Sequence, residues 1–587
     1  MEKFIPAPTH VTWNRATSTA WSPHHERGQT YTTFPKHEFQ GLWSVYARAE
    51  RLHGKQEFMV QDGRRISYSD FFERVASTVE FLEREVKCGP GDRVAVVGVN
   101  SIEWAVAFVA ASYAGMIAVP VNSWWTGKEL AYGLQDSGSK VLFADAERAR
   151  RLREAVPHPA FRVVPLEADA FAAAIQPHAA AAKTRGPMHA RPAPRATTPD
   201  DGALLMYTSG TTAHPKGVLL THRGATHVMV CLDAMATMRR MAAGGGDDER
   251  PAQEVVLLAV PLFHATGMHA VFLSSFVDGG RKIVLLNKWS PERALELIER
   301  ERVTAFTGVP TMTQSMLASP DLRKRDVSSL RSLGAGGAPT PAGVAKEVAT
   351  KFRGASPSQG YGLSEVNAVA TTHSGESYLK RPTSCGRAIP GVDVQIWPED
   401  KDDARLPAGA TGRVMIRGPT MMREYWNQPD ATRAAVTRTG WFDSGDIGML
   451  DGEGFLYIQD RAKDIIIRGG ENISCRTVEE AAFQAFDGVA ECSVFGLPHD
   501  LLGEQVAMAV VMKRAHAAPS LAAVRAKLAP LIAQFELPAA LVVFPGELPR
   551  GATGKIVKRD IKTLVVQGRL AAAGASLERM DDKQAKL

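Results

Sequence analysis

The chain has 587 residues, 45% apolar and 22% charged, an ordinary globular composition in a chain too long for one core, so two or more domains are expected. Its net charge of +6 is weak for that length, and no basic stripe interleaved with aromatics stands out, which argues against nucleic acid as a partner. The five cysteines, Cys88, Cys231, Cys385, Cys475 and Cys492, are odd in number and widely spaced without a CxxC pair, so a reducing, cytoplasmic compartment is expected, with neither disulfide framework nor zinc site.

The first residues lack the apolar run of a signal peptide. From about Asp92 to Leu142 strand and helix signals alternate: the β-branched run Arg93–Val99, then Ser101 as a helix N-cap, then Val141–Ala144 leading into a charged helix. Trp104–Trp125 carries no charge and has the length of a membrane span, but Gly115, Pro120 and Asn122 interrupt it. A buried helix (Trp104–Ala114) turning into a strand (Ile117–Val121) is expected instead. Residues 167–200, rich in Ala, Pro and His, read mostly as a surface connection, and 243–252 as an exposed loop. Strand signals return at Val255–Val260, Lys282–Leu286, Val303–Thr307 and Leu330–Gly334, with helical segments such as Pro291–Arg302 between. Strands separated by helices predict an α/β fold of parallel βαβ layers in the large N-terminal part. After Gly412 the texture shifts to short strands and tight turns. From about Asp464 a small α+β segment is expected, helical at Val478–Phe486 and extended at Gln505–Lys513, ending in a loose polar tail of about twenty residues.

The segment Tyr207-Thr-Ser-Gly-Thr-Thr-Ala-His-Pro-Lys-Gly217 puts four Ser/Thr hydroxyls, two glycines and a lysine into eleven residues after the apolar Ala203–Met206. Glycine lets backbone N–H groups approach phosphate oxygens, hydroxyls add donors, and lysine supplies charge. It is not a Walker A loop, because Pro215 and Gly217 stand where that motif needs glycine and Ser/Thr. The loop resembles the signature of the adenylate-forming superfamily, which includes acyl-CoA synthetases, aryl–CoA ligases, luciferases and peptide-synthetase adenylation domains; Ala213 replaces the usual glycine. Val260–His264, Gly334–Pro339, Gln359–Glu365, Gly440–Asp446, Asp460–Asp464, Gly469–Ile473 and Pro549–Lys555 are similar to further motifs of that family, in the family's order. The resemblance spans roughly residues 40–565.

The resemblance implies an ATP-dependent acid–CoA ligase that forms an acyl-adenylate and then a thioester, with ATP, Mg²⁺ and coenzyme A as its small molecules. It implies that Thr208, Ser209, Gly210, Thr211, Thr212 and Lys216 hold the phosphates. Glu365 takes the Mg²⁺ position, where a hard cation needs an oxygen ligand; without the motif it would read as a surface acid. Gly337, Ala338, Pro339, Gly360 and Tyr361 would make the adenine slot, Gln359 would bond the adenine amino group, and Ser364 keeps a hydroxyl where threonine is usual. Asp446 and Arg461 correspond to the ribose-binding pair. Lys555 looks like the lysine that bridges carboxylate and α-phosphate, and Lys463 like the hinge between a large domain (1–462) and a small mobile one (463–587). After adenylation the small domain would bring Gly469 and Gly470 to the pantetheine arm. Cys475 and Thr477 depart from the family's proline and glutamate just beyond.

His264, included among the catalytic candidates, stands where amino-acid-activating relatives carry an aspartate, which argues against an amino-acid substrate. Gly362 replaces a tryptophan that closes the pocket in acetate-specific relatives, so an open floor is expected, with Met268, Val309, Met312 and the Gly334–Gly336 backbone as walls. A medium- or long-chain fatty acid is the first expectation and an aryl or polycyclic acid the second. An acyl-AMP ligase loading a carrier protein, and a silent binding scaffold, are the readings from other classes. A homodimer is the assembly expected.

Overall fold

The uninterrupted apolar run becomes a buried layer. All twelve residues of the helix Ile102–Tyr113 are buried, as a helix that is hydrophobic all round must be. Ser101 caps it, accepting the Trp104 N–H at 3.0 Å, and the strand Ile117–Pro120 follows, buried throughout. Among the described residues no helix is long and apolar enough to cross a membrane. The computed structural model describes residues 11–14, 30–33, 40–157, 161–192, 194, 197–208, 215–242, 253–277, 279–337, 340–399, 404–461, 464–468, 471–500, 502–551 and 556–580.

The chain divides into two compact units, Met1–Val394 with Ile416–Phe442, and Gln395–Met415 with Asp443–Leu587. The division expected after residue 462 falls inside the second unit, which also takes the strands Phe442–Leu450 and Leu456–Arg461 almost whole. The first unit is α/β and holds two large sheets. One runs, in spatial order, Glu424–Tyr425, Lys216–Thr221, Gly202–Thr208, Ile117–Pro120, Arg93–Val97, Val141–Ala144, Arg162–Pro165; the last five strands are parallel. The other has a parallel body of Ser356–Tyr361, Ser332–Gly336, Ala305–Gly308, Glu254–Leu258, Arg281–Leu285 and Glu57–Gln61, with antiparallel strands at both edges. The helix Pro291–Glu301 covers it with Ala294, Leu295, Leu297 and Ile298.

The second unit contains a six-stranded sheet around Val489–His499 and Gly503–Met512. Val506, Met508 and Val510 pack into one core, and Ala507, Ala509 and Val511 into another. The period-2 alternation of that strand thus buries both faces.

Two expectations are corrected. Residues 167–200 carry helices at Ala168–Ile175 and Ala179–Thr184 that bury Phe171, Ile175 and Ala182; alanine-rich sequence is helix-favouring once a few apolar side chains find a core. The tail is not loose up to Met580. Ser576–Arg579 adds a strand antiparallel to Ala540–Phe544, and Glu578 accepts the Leu521 N–H at 2.8 Å. All four residues of that strand are exposed, so backbone pairing holds it, a signal that hydrophobic patterning does not carry. The expected loop at 243–252 lies outside the described residues.

Candidate active site

In the first unit Thr208 ends one strand and Lys216 begins the next, and the two are directly paired. The phosphate-loop residues Ser209, Gly210, Thr211 and Thr212 belong to the connection between them and lie outside the described residues. Its base is tied down from beneath. Tyr207 donates its hydroxyl to Asp136 Oδ2 at 2.7 Å, the Trp426 indole N–H reaches the Asp136 carbonyl at 3.0 Å, and Trp426 N–H bonds the Gly217 carbonyl at 2.7 Å. Burial, then the Asp136 carboxylate, push the Tyr207 phenol above its ordinary range, so it stays a donor.

The structure brings both Lys216 and Glu365 onto one residue that sequence reasoning missed. Tyr425, paired with Val218 at the sheet edge, donates its hydroxyl to Glu365 Oε1 at 2.9 Å. Its ring lies 4.9 Å from the Lys216 ammonium, within cation–π reach. Burial and the Glu365 charge raise the Tyr425 pKa, which keeps its proton on. Glu365 sits in the short helical turn Ser364–Val366; its carbonyl accepts the Met422 N–H at 2.6 Å, and Asn367 Nδ2 bonds the Thr420 carbonyl at 2.7 Å. A buried carboxylate, one oxygen of which is held by a phenol, fits an oxygen-seeking cation. Tyr425 had no motif spacing to announce it.

At the carboxyl ends of two parallel strands Gly336 pairs with Gly360. Among the described residues, a Cβ built on Gly336 would meet only the Gly360 carbonyl, at 3.5 Å. Gly337 continues with φ of 77°, a conformation open to glycine. Bare backbone here, with Tyr361 partly exposed beside it, leaves room for a flat ring where α/β sheets bind ligands. Ala338 and Pro339 lie outside the described residues. The Gln359 side chain is buried, its Oε1 accepting the Thr340 hydroxyl at 2.7 Å; it is turned toward Thr340 rather than displayed at the surface.

His264 follows a turn held by Asn100, whose side chain donates to the Val260 carbonyl and accepts the Leu262 N–H, both at 2.9 Å. Its carbonyl accepts the Met268 N–H at 2.8 Å, opening the π-helical turn Thr266–Phe272; such turns recur at functional sites. Met268 is fully buried, while Val309 and Met312 are partly so.

Gly362 requires a correction. A Cβ there would lie 2.0 Å from the Ala368 carbonyl oxygen and 2.8 Å from Val369 Cα. Glycine is needed because the backbone of the next turn presses against it, helped by Asn367 and Ala368 at positive φ of 55° and 82°. The missing side chain therefore does not open a pocket floor.

In the second unit Asp446 and Arg461 face each other across two antiparallel strands, Nε to Oδ1 3.2 Å. Asp446 is buried and Arg461 exposed, an acceptor backed by a cation beside it. The departure at Cys475 has a local cause. Its N–H donates to Asp460 Oδ2 at 2.5 Å, a bond that proline could not make, and its thiol is buried against the Asp464 carbonyl. Ser474 caps the helix through the Thr477 N–H. Lys463, Gly469, Gly470 and Lys555 lie outside the described residues. All five cysteines are buried, and none is in a disulfide.

The AMP-binding enzyme family model matches residues 46–426, and the AMP-binding enzyme C-terminal domain model residues 479–555. A feruloyl-CoA synthase from Amycolatopsis sp. is 33% identical over 527 residues, covering 89% of this chain and 99% of its own. A long-chain-fatty-acid–CoA ligase of Bacillus subtilis is 33% identical over 529 residues, 85% of this chain and 90% of its own. The o-succinylbenzoate coenzyme A synthetase of Bacillus subtilis, solved with ATP and magnesium ion, superimposes with a TM-score of 0.72 at 27% identity, covering 89% of this chain and 99% of that one.

Proposed function

The chain belongs to the AMP-binding enzyme family within the adenylate-forming superfamily, and from that premise we propose that it is an ATP-dependent, AMP-forming acid–CoA ligase acting on a medium- or long-chain fatty acid. The observation that carries the reading is the meeting of Lys216 and Glu365 on Tyr425 beside the Thr208–Lys216 pair. A carboxylate attacking the α-phosphate of ATP expels pyrophosphate, and the thiol of coenzyme A then displaces AMP from the acyl carbon. Both partners of the first step are anions, so the site must supply charge and orientation. In this reading Thr208, Ser209, Gly210, Thr211, Thr212 and Lys216 orient the phosphates. The Gly336–Gly360 backbone, Gly337, Ala338, Pro339, Tyr361 and Ser364 seat the nucleoside, with Gln359 behind them. Asp446 accepts two ribose hydroxyls and Arg461 steadies it. Mg²⁺, when bound, offsets phosphate charge, and Glu365 is the carboxylate that would hold it. Lys555 neutralises the reacting carboxylate. Gly469 and Gly470 admit the pantetheine arm after rotation about Lys463, with residues 1–462 and 463–587 moving as the two functional domains.

His264, in place of an acid, and the apolar Met268, Val309 and Met312 support an uncharged tail. The feruloyl-CoA synthase, as similar as the fatty-acid ligase, favours an aryl acid as the second reading. Pyrophosphate release across acids from acetate to palmitate plus hydroxycinnamates, with and without CoA, tests this. CoA-dependent product with octanoate or longer acids is expected. Turnover confined to hydroxycinnamates overturns the fatty-acid assignment, and adenylate that reacts only with a carrier-protein thiol overturns the CoA step. A cytoplasmic homodimer completes the proposal; a monomeric mass by light scattering would remove the dimer.

A further inference from the structure

The Lys216 ammonium and the Tyr425 ring meet at 4.9 Å, and the residue after each is tied into one closed circuit of contacts. Gly217 pairs with Tyr207 across the hairpin, and its carbonyl accepts the Trp426 N–H at 2.7 Å. Tyr207 donates its hydroxyl to Asp136 Oδ2 at 2.7 Å. The Asp136 carbonyl accepts the Trp426 indole N–H and the Asn427 side-chain N–H, both at 3.0 Å. Asp136 lies in the last turn of the helix Gly127–Ser137, and Arg93 fixes that end. Its guanidinium donates to the Ser137 and Gly138 carbonyls at 2.8 and 3.0 Å and stands 5.6 Å from the centre of the Trp426 ring. One residue thus holds the hairpin with its carboxylate and the segment after Tyr425 with its carbonyl.

Resting on the reading of Lys216 as a phosphate-binding lysine, we propose that Asp136 is a positioning residue that sets the Lys216 ammonium against Tyr425 and so serves the half-reaction that uses the triphosphate. A cation on a long side chain orients a phosphate only where the backbone beneath it is placed, and a misplacement of about 1 Å costs on the order of a hundredfold in rate. The carboxylate is the tie that a side-chain change can remove, since the Asp136 carbonyl stays. Without it the Tyr207 hydroxyl retains the uncharged Gly133 carbonyl at 3.2 Å, a weaker acceptor than a carboxylate. Thioester formation starts from the acyl-adenylate after pyrophosphate has left, so it is indifferent to where Lys216 stands.

The test separates the half-reactions. In Asp136→Ala, acid-dependent ATP–pyrophosphate exchange should fall about ten- to a hundredfold in kcat/KM for ATP, while supplied acyl-adenylate and CoA give thioester at the wild-type rate. Asp136→Asn keeps an oxygen for the Tyr207 hydroxyl and should recover most of the exchange. Tyr207→Phe breaks the same contact from the other side and should show the same split, which covers an Asp136 variant that does not fold. In a Lys216→Ala background Asp136→Ala should cost little more, because residues that act through one another are not additive. Equal loss in both half-reactions, no loss in either, or a full further loss without Lys216, in folded variants, overturns the positioning role. Lys216→Ala by itself judges the underlying reading: if it keeps wild-type exchange, that reading falls and the positioning role with it.

Discussion

Tyr425→Phe removes one oxygen and keeps the ring that Lys216 faces. Glu365 then loses the phenol that holds Oε1, a charged-group hydrogen bond of about 1.5–3 kcal/mol. The Mg²⁺ concentration for half-maximal pyrophosphate release should rise several-fold with little change in overall stability. An unaltered Mg²⁺ dependence would show that Tyr425 and Glu365 do not act together. Gly362 makes the contrasting case. Even Gly362→Ala puts a methyl into the Ala368 carbonyl, and overpacking of this kind costs about 1–3 kcal/mol. Activity should drop for short and long acids alike, with a lower melting temperature. A folded variant that loses only long acids would restore Gly362 as a pocket-depth residue.

Elements differ in how they declare themselves. The helix Pro291–Glu301 has Ser290 as N-cap, proline in its first turn and an apolar stripe, so its limits were readable to within a residue. The strand Val141–Ala144 was readable for its short apolar run and the charged helix after it. The strand Ser576–Arg579 was not, because its partner lies more than thirty residues earlier and none of its side chains is buried. Ending the chain at Gly574 should uncover the edge of Ala540–Phe544 and remove the Glu578 acceptor from Leu521. Limited proteolysis should then cut within 515–574 well before the full-length chain is cut there. Identical digestion patterns would mean the added strand contributes nothing.

Across the whole molecule, acid is expected to act through histidines held neutral. Burial lowers His222, His227, His269 and His373 from the ordinary 6.5 to about 4. Between those values the unfolded chain binds protons that the fold refuses, so stability is whole above about pH 6.5 and declines as pH falls toward 4. The urea midpoint should drop progressively over that window, and the loss should be smaller when His222 is replaced by Gln. A midpoint that stays level from pH 7 to 4.5 would refute the assignment.

The sequence by itself determined the family, the α/β order of the large part and the identity of most candidate residues, because glycines, hydroxyls, lysine and carboxylates at set spacings are local statements about chemistry. Asp446 and Arg461 could be paired from their motifs, and the sheet placed them opposite one another. Only the tertiary structure decided that Tyr425 joins Lys216 to Glu365, that Asp136 supports the hairpin of Gly202–Thr208 and Lys216–Thr221 from sixty or more residues away, and that Gly362 is pressed by a backbone. The first two are contacts between segments distant in the chain, and the third is a turn that brings the backbone of Ala368 and Val369 back onto Gly362. Spacing within a motif carries no record of which backbone or side chain will press against it, so the meaning of such a residue is set where the chain folds back.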